Sequence, residues 1–146
     1  MMLRELAQQS GAAERIVFRP AVPNDELCAS LPDYDIFAIR SDYFELSKSM
    51  LEALLSGLPV IVNRRPGDPV PELTDEICML VDNTPDGYGM ALQRLISDDA
   101  ARERLGRSAL AHARARWSPA ATEAKFVEIY RELLGNRTAV ALQGAA

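Results

Sequence analysis

Four short apolar runs, rich in β-branched residues, alternate along this chain with longer segments of helical periodicity. The runs are "RIVF" at 15–18, "DIFAI" at 35–39, "PVIV" at 59–62 and "ICMLV" at 77–81. Because their starts lie about twenty residues apart, a helix fits between most neighbours, which is typical of βαβ units. The pattern predicts an α/β fold with a Rossmann-like parallel sheet of about four strands flanked by helices.

The segments between these runs carry signals for helix starts and ends. "MLRELAQQSG" is a short helix closed by Gly11, and "NDELCASL" is a second helix with Asn24 as its N-cap. A third helix precedes "PVIV", with leucines at helical spacing, and Gly57 ends it.

The last third of the chain is predicted to be helical throughout. Its final helix starts with Ser118 as the cap and Pro119 at the first helical position, and Gly135 ends it. The buried stripe predicted for this helix consists of Phe126, Ile129, Tyr130, Leu133 and Leu134. We therefore place the domain at 1–135 and a flexible tail at 136–146.

Composition and charge narrow the class of protein. A chain of 146 residues, 48% hydrophobic and 25% charged, is most simply one globular domain. A net charge of −5 argues against nucleic acid as the main partner. No apolar run approaches the ~20 residues of a membrane span, and no signal-peptide core is present. Two cysteines without CxxC spacing predict free thiols in a reducing cytoplasm.

Arginines follow the first three predicted strands, at the edge where open parallel sheets bind ligands. They are Arg19, Arg40, Arg64 and Arg65. One interpretation is an anionic ligand, most simply a phosphate or diphosphate. The other is that these are solvated loop side chains that pair with Asp42, Asp68 or Glu72.

The stretch "SDYFELSKSMLEALLSGLPVIVN" at 41–63 lies on the same edge. Its helix is predicted to begin near Ser47 to Ser49, so the free N–H groups of Ser47, Lys48 and Ser49 would form an anion site. An alternative needs no ligand, because "SMLE" is also a capping box with Ser49 as the cap and Glu52 reaching back. Spacing alone does not separate the two interpretations.

"MLEALLSGLPVIV", and the sequence from "PEL" through "RERLGRSA" to "IYRELL", carry a resemblance that covers nearly all of residues 3–134. The chain resembles the nucleotide-binding half of a retaining glycosyltransferase of family 4, with the GT-B fold. The resemblance implies transfer of a sugar from a nucleotide diphosphosugar to an acceptor, with retention and without a metal ion.

The resemblance also implies roles for individual residues. A glutamate at the position of Glu52 would hold the ribose hydroxyls, and the amides around Ser47 to Ser49 would hold the diphosphate. Backbone near Ala21 and Val22 would contact the base. The place of Arg40 and Arg64 at the sheet edge, and not the resemblance, assigns them, together with Lys48, to the phosphates.

An earlier glutamate of the family, separated from the second by seven residues, touches the sugar. That spacing falls on Phe44, and Glu45 is offset by one residue. A loop shorter by one residue would let Glu45 take this role, and we assign it as the catalytic candidate.

Other candidates are weaker. "DYD" at 33–35 matches a metal-binding pattern of a different glycosyltransferase fold but precedes its strand, so no metal site is predicted. His112 lies on a helix face and is interpreted as a packing residue.

Two functions from different classes therefore stand at this point. The first is the donor-binding part of a glycosyltransferase, inactive alone because the N-terminal acceptor domain is missing. That domain would also carry any peripheral membrane contact. The second is a non-catalytic nucleotide-binding or interaction module that retains the half-fold. In the fold resembled, two central strands would be missing, and 35–39 would present an unpaired apolar edge.

Overall fold

Six α-helices and a three-stranded sheet make up the regular structure of the computed structural model, which describes residues 2–42, 45–65, 67 and 69–143. The elements in chain order are α1 (Met2–Gln9), α2 (Asn24–Ser30), β1 (Phe37–Ile39), α3 (Lys48–Leu55), β2 (Val60–Asn63), β3 (Met79–Val81), α4 (Pro85–Ser97), α5 (Asp99–Trp117) and α6 (Pro119–Gln143). No helix within these ranges is long and apolar enough to cross a membrane.

The sheet is parallel throughout, with the order β1-β2-β3. Phe37 pairs with Val60 at the start of β1, and Ile61 pairs with Met79 at the start of β3. The predicted α/β class and the parallel sheet are confirmed, but the sheet has three strands among the described residues instead of about four.

The missing strand is the one predicted at 15–18. Ala13–Arg15 forms a 3-10 turn, the residues after it are irregular, and Val17 is 76% exposed. A strand is stable only when a neighbour takes up its backbone hydrogen bonds. Within the described ranges β1 pairs with β2 alone, so its outer edge is unpaired, as predicted for 35–39.

The core lies on both faces of the central strand β2. Val60 and Val62 belong to a buried cluster built with α3 and α5, whereas Ile61 belongs to a second cluster built with α4. This alternation follows from the two-residue period of a strand. Since both faces of β2 are covered, its continuous apolar run is explained.

Glycines allow α3 and α5 to pack closely. Gly57 has φ +77°, which favours glycine, and it follows the end of α3 as predicted. A Cβ added at Gly106 on α5 would run into the carbonyl oxygen of Gly57. The two helices therefore approach to a distance that only glycine permits at 106.

Two predicted helix boundaries are wrong. Pro23 occupies the N-cap position of α2, and Asn24 is its first residue, with no side-chain cap. Helix α6 continues to Gln143, so Gly135 does not end it. One glycine costs a helix only ~1 kcal/mol and need not stop it. The domain boundary at 135 remains a prediction.

The stripe of α6 that was predicted to be buried is exposed. Its five side chains are 41–64% exposed, and they are Phe126, Ile129, Tyr130, Leu133 and Leu134. The helical period was read correctly, but α6 packs mainly through its contact with α5, and no described element covers this stripe. Ser118 does cap the helix, since its Oγ accepts from the amide of Ala121 at 3.2 Å.

Candidate donor site at the carboxyl edge of the sheet

The first turn of α3 lies just beyond the carboxyl ends of β1 and β2. Ser47 is its N-cap, with extended backbone, and Ser47 Oγ accepts from the amide of Met50 at 3.3 Å. The predicted start near Ser47 to Ser49 is confirmed. The amides of Lys48 and Ser49 have no acceptor within the helix, so this end of α3 offers donors and the positive end of a helix dipole.

Glu52 is not part of a capping box. Because Ser47 is the cap, the third helical residue is Met50, and Glu52 is the fifth, so the capping box centred on Ser49 is wrong. The Glu52 side chain is only 12% exposed, and its Oε1 is buried without a hydrogen-bond partner in the described part of the chain. Its ion-pair partner is Nζ of Lys48 at 3.7 Å. Burying an unsatisfied carboxylate oxygen is costly, which calls for an explanation outside folding.

A hydrogen-bond network ties together the ends of β1 and β2 next to this helix. Asn63 Oδ1 accepts from the amide of Ser41 at 2.8 Å, and Asn63 Nδ2 donates to the Ser41 carbonyl at 3.0 Å. Both residues are buried. The Tyr88 hydroxyl lies 2.8 Å from the carbonyl oxygen of Ile39 and 3.2 Å from Asn63 Oδ1. Burial raises the pKa of Tyr88 above its ordinary value, so it stays a donor at neutral pH.

The arginines at this edge have acidic or carbonyl partners. Arg40 pairs with Asp42 at 2.9 Å, as the alternative interpretation predicted, whereas Arg64 pairs with Asp75 at 3.0 Å. Arg65 donates to the Asp42 carbonyl at 2.8 Å. Arg40 and Arg64 are each half or more exposed, and exposed pairs of this kind contribute little free energy. Both side chains can therefore exchange a carboxylate for a phosphate at small cost.

A cavity of about 220 Å³ adjoins the network. Ser41, Asn63 and Arg65 line one part of it, and Met50, Val70 and Leu73 supply apolar wall. Of the described residues of α3, Met50 lines this cavity, whereas Lys48, Ser49 and Glu52 do not, so the cavity adjoins the ends of β1 and β2 and does not include the first two amides of α3.

Comparison with known proteins gives the family. The model of a family described as glycosyl transferases group 1 matches residues 2–98, which is more than half of the chain. This chain belongs to the glycosyl transferases group 1.

Curated relatives of this group 1 chain carry one activity in their names. The chain is 36% identical over 134 residues to a D-inositol 3-phosphate glycosyltransferase of Corynebacterium glutamicum (strain R), with 91% of this chain and 32% of the relative covered. The chain is also 32% identical over 146 residues to a D-inositol 3-phosphate glycosyltransferase of Acidothermus cellulolyticus, with 99% of this chain and 32% of that relative covered. The chain therefore spans about a third of the length of these relatives.

Solved structures agree on the fold. Sucrose-phosphate synthase from Thermosynechococcus elongatus superimposes with a TM-score of 0.77 at 21% identity, covering 92% of this chain and 34% of that one. The C-terminal domain of a glycosyl transferase group 1 family protein from Francisella tularensis superimposes with a TM-score of 0.71 at 21% identity. The match covers 81% of this chain and 62% of that one. The predicted resemblance to the C-terminal half of a GT-B glycosyltransferase is confirmed.

Not every candidate residue of this glycosyltransferase chain lies at the N-terminus of α3. Ala21 and Val22 are exposed in the irregular segment before α2, and Arg19 lies there too instead of after a strand. Glu45 is exposed two residues before the cap Ser47, while Phe44 falls outside the described residues. Lys48, Ser49 and Glu52 are brought together on α3, and their roles toward a ligand remain predictions.

The other side chains that the sequence singled out are His112 and the two cysteines. The His112 ring packs at 5.3 Å from the Trp117 ring, which confirms its interpretation as a packing residue. Cys28 and Cys78 are free thiols. Within the described ranges, no group of three or more His, Cys, Asp or Glu side chains could hold a metal ion.

Sequence reasoning missed the roles of Asn63 and Tyr88. The available signals were an asparagine that ends an apolar β-branched run and a tyrosine in the first turn of an otherwise aliphatic helix face. Neither signal identifies the partner.

Proposed function

We propose that this chain is the donor-binding part of a glycosyltransferase and holds a nucleotide diphosphosugar at the N-terminus of α3. The observation that carries the proposal is the buried Oε1 of Glu52, which accepts no hydrogen bond within the described ranges. A ribose diol supplies the neutral O–H donors that such an oxygen lacks.

The first turn of α3 would hold the diphosphate. The amides of Lys48 and Ser49 and the helix dipole supply positive potential, and Lys48 adds a full charge. When the bond between sugar and diphosphate breaks, negative charge grows on the departing phosphate oxygen. Groups that already point at that oxygen stabilise the charge as it develops, so the proposal needs no metal ion.

Side chains around the helix would complete the donor site. Arg40 and Arg64 would exchange their exposed carboxylate partners for phosphate oxygens. Glu45 would face the sugar, and the backbone at Ala21 and Val22 would contact the base.

The proposal extends to the enzyme of which such a chain forms part. Transfer proceeds with retention to an acceptor bound by an N-terminal domain, consistent with relatives about three times as long as this chain. Any peripheral membrane contact belongs to that domain. A cytoplasmic location agrees with the free thiols Cys28 and Cys78.

Calorimetric titration with a panel of nucleoside diphosphates tests the proposal. Glu52→Gln should weaken binding roughly ten- to a hundredfold, because a charged hydrogen bond worth ~1.5–3 kcal/mol is lost. The matched control is Glu103→Gln, which removes another carboxylate paired one helical turn away, with Arg107, but on the exposed face of α5.

The free energy of unfolding separates a ligand role from a structural one. In Glu52→Gln it should stay the same or rise, since a neutral amide replaces a buried carboxylate without a hydrogen bond. Equal affinity in wild type and Glu52→Gln would contradict the proposal. Turnover of nucleotide sugars by a full-length relative, lost in the matching variant, would distinguish a transferase from a non-catalytic module.

A further inference from the structure

The side chain of Asn63 continues the β1–β2 pairing beyond the last paired residues. The last paired residues of the two strands are Ile39 and Val62. Ser41 comes two residues after Ile39 and therefore lies past the end of the backbone pairing. The Asn63 amide both accepts from the Ser41 N–H and donates to the Ser41 C=O, so it acts as a neighbouring strand would.

Tyr88 fixes the orientation of that amide. Its single hydroxyl proton lies within reach of two acceptors, the carbonyl oxygen of Ile39 and Oδ1 of Asn63. Since the ring extends from α4 across the ends of β1 and β2, rotation of Asn63 would break contacts to Tyr88 and to both backbone groups of Ser41 at once.

Ser41 is where the chain leaves the sheet for the donor site. The segment from Ser41 runs through Glu45 to Ser47, whose extended backbone and side chain begin α3. The placement of Ser41 therefore sets where this segment starts relative to the amides of Lys48 and Ser49.

We propose that Asn63 and Tyr88 are positioning residues for the donor site: together they fix Ser41, the residue at which the chain leaves β1 toward the first turn of α3. The inference rests on the proposed function. Asn63 acts through the backbone of Ser41, and Tyr88 acts through Asn63 and through the carbonyl group of Ile39.

The central variant is Tyr88→Phe, which removes the hydroxyl and keeps the ring. We expect nucleoside diphosphate binding to weaken about three- to tenfold, as for one neutral hydrogen bond. Backbone amides of Ser41 and of 45–49 should exchange with solvent faster. The matched control is Tyr130→Phe, which removes the hydroxyl of an exposed tyrosine on α6 and should change neither quantity.

A double-mutant cycle tests whether Tyr88 acts through Asn63. Asn63→Ala alone should weaken binding more than Tyr88→Phe, and the double variant should lose less than the sum of the two single losses, because part of the effect of Tyr88 passes through Asn63. If Asn63→Ala does not fold, Asn63→Ser replaces it in the cycle. Additive losses would contradict the proposed order of action.

The outcomes separate this inference from the proposed function. Unchanged amide exchange in Tyr88→Phe overturns the positioning role, whatever the nucleotide does. Faster exchange with unchanged affinity, in a wild type that binds, also overturns it, because the tyrosine would then be structural only. Failure of the proposed function is recognised independently, when wild type and Glu52→Gln respond identically to nucleoside diphosphate.

Discussion

The ammonium group of Lys48 lies 3.7 Å from Oε1 of Glu52, one turn further along α3. This distance exceeds the ~2.7–2.9 Å of a charge-assisted hydrogen bond, so the lysine neutralises the carboxylate without occupying its lone pairs. Lys48 is 74% exposed and free to turn. The pair thus leaves Glu52 available as an acceptor and Lys48 available to an anion.

Lys48→Ala should weaken binding of a nucleoside diphosphate more than binding of the nucleoside, because its charge addresses phosphate. The wild-type affinity should fall with ionic strength, as partly exposed charges are screened over ~8–10 Å. Arg64→Ala should act in the same direction but less, since Asp75 already holds Arg64. The control is Lys125→Ala, at an exposed lysine on α6. Titration calorimetry at two salt concentrations measures these effects, and equal losses for nucleoside and diphosphate would contradict the assignment.

Ser47→Ala should lower the free energy of unfolding by ~1 kcal/mol, because the α3 cap is lost. Ser49→Ala should have almost no effect, since Ser49 is the second residue of the helix and its side chain caps nothing. Urea denaturation of both variants gives the comparison. A larger loss for Ser49→Ala would restore the capping-box interpretation.

Gly106→Ala and Gly89→Ala form a second matched pair. The added methyl group at 106 meets the backbone oxygen of Gly57 and should cost ~1–3 kcal/mol through overpacking. At 89, on α4, the methyl group meets nothing within 4 Å and should stabilise the helix by ~0.5–1 kcal/mol. Thermal unfolding should therefore shift in opposite directions for the two variants.

The buried thiol of Cys78 should lower the free energy of unfolding at high pH. Burial raises the pKa of its thiol from 9.0 to about 12, with Asp75 adding to the rise and Arg64 opposing it. Below pH 9 the thiol is protonated in both states, and stability is unaffected. As pH rises from 9 toward 12, the unfolded thiol ionises first, so the free energy of unfolding falls. Denaturation of wild type and Cys78→Ala over this range should show a shallower fall in the variant.

The exposed face of α6 predicts tolerance to polar substitution. Leu133→Lys should change the free energy of unfolding by no more than ~0.5 kcal/mol, because this side chain is already exposed. Leu54→Ala, at a fully buried position, should cost ~2–5 kcal/mol. Light scattering should also show less self-association for Leu133→Lys, since an apolar stripe attracts other surfaces.

Local patterns predicted the strands whose partners are present. "DIFAI" and "ICMLV" contain β1 and β3, and "PVIV" contains β2 except for its last residue, Asn63. Burial on both faces explains the continuous apolar run of β2, whereas β1 and β3 are partly exposed. "RIVF" has the same pattern but no neighbour within the described ranges, and the pattern carries no information about pairing.

The candidate site was predictable to the level of one helix turn. Both Ser47 and Ser49 fit cap spacing, and the choice depends on which serine has extended backbone, which tertiary contacts decide. The network was not predictable, because its hydrogen bonds join residues 22 to 49 positions apart. Side-chain contacts to distant backbone leave no periodic trace in a sequence.

The stretch between Ser41 and Ser47 is held at both ends, by Asn63 at one and by the α3 cap at the other. Because both ends are fixed, the length of the stretch can change by itself. A residue gained or lost between them would shift Glu45 without altering the sheet or the helix. The spacing of six residues between Glu45 and Glu52, instead of seven, is a change of this kind. If Glu45 faces the sugar as proposed, a change in the length of this one stretch alters where that carboxylate meets the donor.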